Sequence, residues 1–544
     1  MLSSALMHTQ DVPRINQANR HIARAATTIM VAFLLSNLMG LVRGILIYRT
    51  FGTSAALDSF NAANRIAEML FNLMAGGALG SAFIPTFTAL LTQDDRDQAW
   101  RLASAIFNWL ILILGLISLL VALFAPQVVR HGLFLLAPGQ DPGQEALTTH
   151  LLRLLLLTVP IFGISGLVMG ILNAHRRFWV PAIAPAMYSL GMILGVLVFP
   201  SSWGIDRLAW GAVLGACLHL GVQLPTLGRL HGRFIPTLGR HLPAVREVLR
   251  LMGPRIFGVA IVQLNFVVNT IIALSLPEGS VSAIALAFSL MLVPQMAIAQ
   301  SAGIASLPIL SAQVARGEFD EMRASLISTL RGVLLLALPA SLGLILLRQP
   351  LVSLLYQGGA FDERSTAMVT WALLWYAVGL VGHSVVEVLS RAFYALHDTR
   401  TPVSVGVIAM SLNIGLSLLF ASWFRQMGWM PHGGLALANS LATFLEMLGL
   451  FYFMHRRLRG LPLRPLWDAL GRSSLATLAM AVGVMLWMYL GSQQVHTALL
   501  LFIALGLGLG IYGLGLWLLR TPESRFLVQW FYQRVFHKHE LPAP

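Results

Sequence analysis

The chain has 544 residues, 57% of them hydrophobic and only 11% charged, with a mean hydropathy of +0.76. A soluble domain carries about 25% charged residues, so soluble enzymes and nucleic-acid-binding domains are excluded and an all-α polytopic membrane protein is expected. The formal charge of +14 rests on 36 basic residues, of which Lys538 alone is lysine; in a membrane protein such an excess marks cytoplasmic loops. The single cysteine, Cys217, excludes a disulfide framework and any multi-thiolate metal site.

The first 24 residues are polar with scattered arginines, and they lack the apolar core and cleavage site of a secretory signal. Apolar stretches long enough to cross a bilayer, about 20 residues each, then fall near 25–50, 56–91, 103–125, 147–172, 181–200, 208–228, 248–275, 281–312, 326–347, 366–394, 402–423, 433–454, 468–490 and 498–519. Fourteen spans are therefore expected. With the N-terminus inside, the cytoplasmic segments hold 25 of the basic residues and the outer loops six. That asymmetry places both termini in the cytoplasm.

The chain also repeats. GSAFIPTFTALLTQDDRDQAWRLASAIF, with Pro85 and Arg101, is similar to IASLPILSAQVARGEFDEMRASLIS, with Pro308 and Arg323. NAHRRFWVP, ending at Pro181, is similar to YALHDTRTP, ending at Pro402. The offsets, 223 and 221, are nearly equal, so spans one to six read as duplicated in spans seven to twelve. An even number of spans per unit gives a parallel repeat about a pseudo-twofold axis along the membrane normal. The expected divisions are a cytoplasmic segment 1–24, an N-lobe 25–230, a basic linker 231–247, a C-lobe 248–455, two further spans within 456–519 and a cytoplasmic tail 520–544. Breakers punctuate the spans at Gly76, Gly77, Gly80, Pro85, Pro160, Gly163, Pro294 and Gly303, where helix packing explains them without any functional role.

Polar groups stand where lipid forbids them. Asp58, Asn61, Arg65, Glu68 and Asn72 follow a three-to-four step along the second span, so they share one helix face. A charged group at the bilayer centre costs roughly 2.5–3.5 kcal/mol on insertion scales, and a helix keeps such a face only toward protein or a wet cavity. Arg43 in the first span either reaches for the outer surface or joins that cavity. Arg65 and Glu68 are spaced to pair, Asp58 to cap its helix, and Arg255 to anchor at the headgroup level. Arginine keeps its charge when desolvated and grips phosphate with two hydrogen bonds, so a cavity of this kind suits an anionic, phosphate-bearing substrate.

Other chemistry is missing. There is no GxxxxGK phosphate loop, no HExxH and no CxxC, so ATP hydrolysis by that route and zinc catalysis are not expected. The histidines read as loop-edge residues, with His383 in the tenth span the exception. It lies one turn before Glu387, where a polar interhelical bond and an ion or proton site are both open. Glu446 in the twelfth span stands alone as a buried carboxyl.

The run GLVRGILIYRTFGTSAALDSFNAANRIAEMLFNLMAGGALGSAFIPTF resembles the opening signature of the MurJ (MviN) family of lipid II flippases. LNAHRRFWVPAIAPA, LMGPRIFGVAIVQLNFVVNTIIALSLPEGSVS, SLPILS and FYALHDTRTPV resemble its later blocks, in family order. The resemblance implies two six-helix lobes of the multidrug/oligosaccharidyl-lipid/polysaccharide exporter superfamily plus two C-terminal helices forming a groove for the lipid tail. It implies a non-enzymatic flippase that moves undecaprenyl-pyrophosphate-linked peptidoglycan precursor to the outer leaflet by alternating access. No cofactor is implied; coupling would be to membrane potential or a monovalent cation. The partners implied are lipid II or a related glycolipid, membrane lipids and cell-wall synthesis enzymes, with no nucleic acid. The resemblance matches Arg43, Asp58 and Arg65 to family positions; the expected central-cavity set adds Asn61, Asn72, Arg255 and Ser289, and the spacing of His383 and Glu387 makes them the expected ion or coupling site. Asn37, Phe71-Asn72 and Ser289 stand where many members carry arginines, so a flippase for another polyprenyl-linked glycan is a second expectation. An ion-coupled drug exporter and a non-transporting scaffold are the remaining alternatives.

Overall fold

The computed structural model describes residues 31–32, 34–73, 78–139, 141–491 and 496–522. The expected segment 1–24, Gly76, Gly77 and nearly all of the 520–544 tail lie outside these residues. Among the described residues the chain is helical, without a β-strand; Gly358 and Phe361 form one isolated bridge.

The helices in chain order are α1 (34–51), α2 (Ala55–Phe71), α3 (Ala78–Thr92), α4 (Arg96–Leu123), α5 (Pro142–Leu155), α6 (Thr158–Ala174), α7 (Trp179–Val198) and α8 (Asp206–Gly221). They continue with α9 (Pro243–Leu274), α10 (Ser280–Gln295), α11 (Ser301–Ala315), α12 (Phe319–Tyr356), α13 (Glu363–Ala395), α14 (Arg400–Gln426), α15 (His432–Arg457), α16 (Arg464–Gly491) and α17 (Thr497–Leu518). Among the described residues, eleven stretches are long and apolar enough to span a membrane, or twelve with α9 counted as one bent span. The bend in α9 is 44° and falls between Gly253 and Gly258, a stretch that begins with Pro254, and proline removes a helix hydrogen bond. The first two expected spans are helical wherever they are described, as α1 and as α2 and α3. The exact total of fourteen is not reached by length and apolarity alone.

Two compact units divide the chain, Met1–Ser275 and Leu276–Pro544. The sequence starts the second lobe at 248, near the beginning of α9; the compact units divide after that helix, because α9 packs on α2 and α3 of the first unit. The linker expected at 231–247 is docked on α4: Asn108 donates to the Thr237 carbonyl at 2.8 Å and Trp109 Nε1 to that of Leu238 at 3.0 Å.

The internal repeat is visible in the turns. Asp94 and Gly317, 223 residues apart, both adopt left-handed backbone, with φ of 59° and 74°. Arg176 and His397, 221 apart, do the same at 58° and 55°. Matching sequence blocks thus end matching helices with the same turn.

In the second unit, Leu326, Leu330, Val388, Leu389, Phe393 and Leu450 knit α12, α13 and α15 into one core. Leu347, Met480, Val484, Leu501 and Tyr512 join α16 and α17 to α12. Trp371, Trp375, Trp423 and Trp429 cluster with Phe424 where α13 and α14 approach the 427–431 turn, a composition suited to the membrane–water interface. Large apolar side chains such as Leu197, Ile408 and Leu509 face outward, which a lipid solvent permits.

Candidate functional site

In the first unit α2, α3, α6, α7 and α8 surround a cavity of about 460 Å³. Helix α2 starts where Ser54 accepts a hydrogen bond from the Leu57 backbone at 3.3 Å. Ser54, not Asp58, is therefore the cap; the buried Asp58 donates its own backbone N–H to the Ser54 carbonyl at 2.9 Å. One turn below, the polar face of α2 divides. Asn64, Glu68 and Asn72, spaced by four, line the cavity. Asp58, Asn61 and Arg65 do not line it.

Arg65 pairs with Glu68 at 3.1 Å and lies over the Phe266 ring of α9, 5.1 Å from its centroid. Glu68 also accepts from Asn64 Nδ2 at 2.7 Å. The carboxylate is thus held on both oxygens and its charge is matched by Arg65. Arg43 has no carboxylate partner among the described residues. Its guanidinium sits 5.6 Å from the centre of the Tyr188 ring, and Nη1 approaches the Met192 sulfur at 3.8 Å. Both lie on α7, so Arg43 turns inward against the unit rather than to the outer surface, and it keeps an uncompensated positive charge next to a cavity-lining ring.

The far wall is a buried polar network. Ser165 of α6 lies 2.6 Å from Nδ1 of His219 on α8, and Gln223 Nε2 donates to Ser165 Oγ at 2.7 Å and to the His219 carbonyl at 2.9 Å. The Phe162 ring meets both the Tyr188 ring and the His219 ring edge-on. This wall is held in place by close packing of α7 on α8. Gly191 and Gly195 face Gly211 and Gly215, and a Cβ on any of the four would enter the backbone of the opposite helix. Two small-xxx-small steps let the two backbones touch.

The structure places the remaining expected residues as follows. Arg255 lies on α9, and its side chain is outside the described residues. Ser289 is exposed on α10 in the second unit, with its hydroxyl returned to the Ala285 carbonyl at 2.8 Å. His383 and Glu387 do not engage each other. His383 Nε2 meets Asn439 Oδ1 of α15 at 3.0 Å, while Glu387 pairs with Arg391 at 2.8 Å. Among the described residues no three His, Cys, Asp or Glu side chains converge as metal ligands. The reading of His383 as the one histidine inside a span is corrected by His219, which is buried within the sixth span. Tyr188, Asn173, Ser165 and the α7–α8 glycines also escape the sequence reading. The paired GxxxG spacings were a usable signal for the glycines; nothing in the local sequence marks Asn173.

The family model for the lipid II flippase MurJ matches residues 47–506. The chain belongs to the MurJ family. It is 31% identical over 452 residues to the lipid II flippase MurJ of Burkholderia cenocepacia, covering 80% of this chain and 84% of that protein. It is 30% identical over 445 residues to a probable MurJ of Vibrio cholerae, covering 80% and 83%. A solved MurJ structure in an inward closed conformation superposes with a TM-score of 0.77 at 23% identity, over 92% of this chain and 99% of that one. An inward-facing multidrug resistance MATE transporter shares the fold at a TM-score of 0.67 and 14% identity, over 80% of this chain and 98% of that one. The MurJ assignment gives the fold as that of a multi-pass helical transporter.

Proposed function

We propose that this protein is a lipid II flippase, carrying the undecaprenyl-pyrophosphate-linked peptidoglycan precursor from the cytoplasmic to the outer leaflet of the inner membrane. The observation that carries the reading is Arg43, a cation turned inward without a carboxylate partner in a chain of this family. A guanidinium in a poorly solvated setting binds a pyrophosphate oxygen pair with two charge-assisted hydrogen bonds. The loop charges support cytoplasmic termini, and alternating access is the transport mode of this reading. We take the energy source to be membrane potential or a monovalent cation, a reading with which the lack of a GxxxxGK loop agrees. Asn72 and Ser289, in place of family arginines, favour a second reading in which the glycan differs while the polyprenyl pyrophosphate stays the same.

The test is complementation. Cells depleted of their own lipid II flippase receive this chain or its Arg43→Ala form. Rescue by the wild type alone supports both function and site. Rescue by both keeps the function and removes Arg43 from it. No rescue despite membrane expression moves the second reading ahead.

A further inference from the structure

The cavity in the first unit is lined by hydrogen-bonding side chains as well as apolar ones. Asn72, Asn173, Tyr188 and His219 all border it. Four such donors and acceptors at one place suit a polar occupant.

The network behind His219 fixes what that side chain offers. Gln223 must point Nε2 at the His219 carbonyl, and the same nitrogen donates to Ser165 Oγ. The Ser165 proton then has His219 Nδ1, 2.6 Å away, as its acceptor. Nδ1 being an acceptor, the neutral ring carries its proton on Nε2, and His219 is 8% exposed. The cavity therefore presents one fixed N–H donor, two carboxamides that both donate and accept, and one phenol that does either.

Charge decides against a phosphate here. Glu68 is the one charged residue lining the cavity among the described residues, and its charge is already met by Arg65 and Asn64, so the lining offers an anion no free cation. The apolar part of the lining includes two phenyl rings: Phe162 packs at 5.3 Å from Phe71 and 5.1 Å from Tyr188, ring centre to ring centre. Neutral mixed donors and acceptors beside ring faces match a pyranose, whose hydroxyls do both and whose C–H faces are apolar. A volume near 460 Å³ lies within the roughly 300–1,000 Å³ of small-molecule sites. Tyr188 is shared: its ring both lies beneath Arg43 and lines the cavity.

We propose that this chamber is a sugar subsite, holding a neutral hexopyranose of the transported head group while Arg43 holds the adjoining pyrophosphate. This rests on the flippase reading above, since it assumes a glycan-bearing lipid pyrophosphate. The test measures binding of the purified full chain to lipid II and to bare undecaprenyl pyrophosphate. The wild type is expected to prefer lipid II by about tenfold or more, because a site built to hydrogen-bond a hydroxyl penalises a ligand that lacks it. Asn72→Leu with Asn173→Leu should erase that preference and leave undecaprenyl pyrophosphate binding unchanged, whereas Arg43→Ala weakens both lipids. Tyr188→Phe, which removes one hydroxyl and keeps the ring, should reduce the preference several-fold and serves if the double variant does not fold. Equal wild-type affinity for the two lipids, or equal loss of both in a folded Asn variant, overturns the subsite. Wild-type binding to neither overturns the flippase reading itself.

Discussion

Ser165 and His219 are joined across α6 and α8 by a 2.6 Å hydrogen bond that selects the tautomer of a histidine inside the membrane span. Ser165→Ala leaves Nδ1 without its donor and Gln223 without one acceptor, with all three residues buried. The expected cost is about 1–3 kcal/mol, read as a lower unfolding temperature of the detergent-solubilised protein. Ser165→Thr, which keeps the hydroxyl, should recover part of it.

The cation over Tyr188 depends on shape as well as charge. Arg43→Ala should abolish rescue of a flippase-depleted strain. Arg43→Lys keeps the charge but loses the planar, two-pronged grip, so it should rescue weakly and slow transport by about tenfold, the scale of one such hydrogen bond. Equal rescue by Arg43→Lys and the wild type would reduce Arg43 to a bulk electrostatic role.

Arg65 acts on Glu68 at 3.1 Å. Both are partly exposed, so the pair itself is worth about 0–1 kcal/mol. Its role in transport is to keep the carboxylate from repelling an anion. Arg65→Ala should therefore impair flipping, and adding Glu68→Gln should restore it. A double variant as impaired as Arg65→Ala alone would show that Arg65 touches substrate instead. If Arg43→Ala and Arg65→Ala both transport normally, the site has been placed in the wrong cavity.

Asp398 ties down the turn before α14. Its carboxylate accepts from the backbone N–H groups of Arg400 and Thr401 at 3.1 and 3.0 Å, and from the Thr401 hydroxyl at 2.7 Å. The Thr401 backbone hydrogen bond, ahead of the smaller contributions from the Thr401 hydroxyl and Arg400, holds its pKa below the ordinary value. A depressed folded pKa means that the stabilisation is complete above the unfolded pKa and is lost as pH falls through the folded one. Asp398→Ala should thus cost about 0.5–2 kcal/mol at pH 7, as for a lost cap. The gap between wild type and variant should close on acidification below the usual carboxylate range of about pH 3.9, which thermal unfolding at several pH values checks.

Sequence and structure agree most closely where a feature is periodic. Span existence follows from apolar length, and the repeat at Pro85/Pro308 and Pro181/Pro402 anticipated the paired left-handed turns at Asp94/Gly317 and Arg176/His397. The polar stripe of α2 was legible because a three-to-four step defines a face. Which residues of that stripe line the cavity was not, since Arg65 is drawn aside by Phe266, a residue about 200 positions later in the chain. His219 was missed for the same reason: its meaning comes from Ser165, 54 residues away. Contacts between distant helices carry no local pattern, and a single sequence does not display them.

The glycine contact of α7 with α8 is open to a separate check. Gly211→Leu drives a side chain into the backbone near Gly191 and Gly195, an overpacking whose cost is typically about 1–3 kcal/mol and here higher, since backbone cannot rotate away. Gly221→Ala, on the same helix with nothing within 4 Å of the added carbon, should be silent. Folded yield after size-exclusion chromatography separates the two.

That contact also divides the labour of adaptation. Tyr188 and His219 sit on two helices whose backbones are in mutual contact, so neither can shift alone without breaking four glycine positions at once. Asn72 and Asn173 stand on α2 and at the end of α6, outside that seam, and can be exchanged one residue at a time. A relative that transports a different head group would then keep the Tyr188–His219 wall as an invariant last and change its carboxamides freely, so that selectivity drifts on one side of the chamber and is inherited on the other.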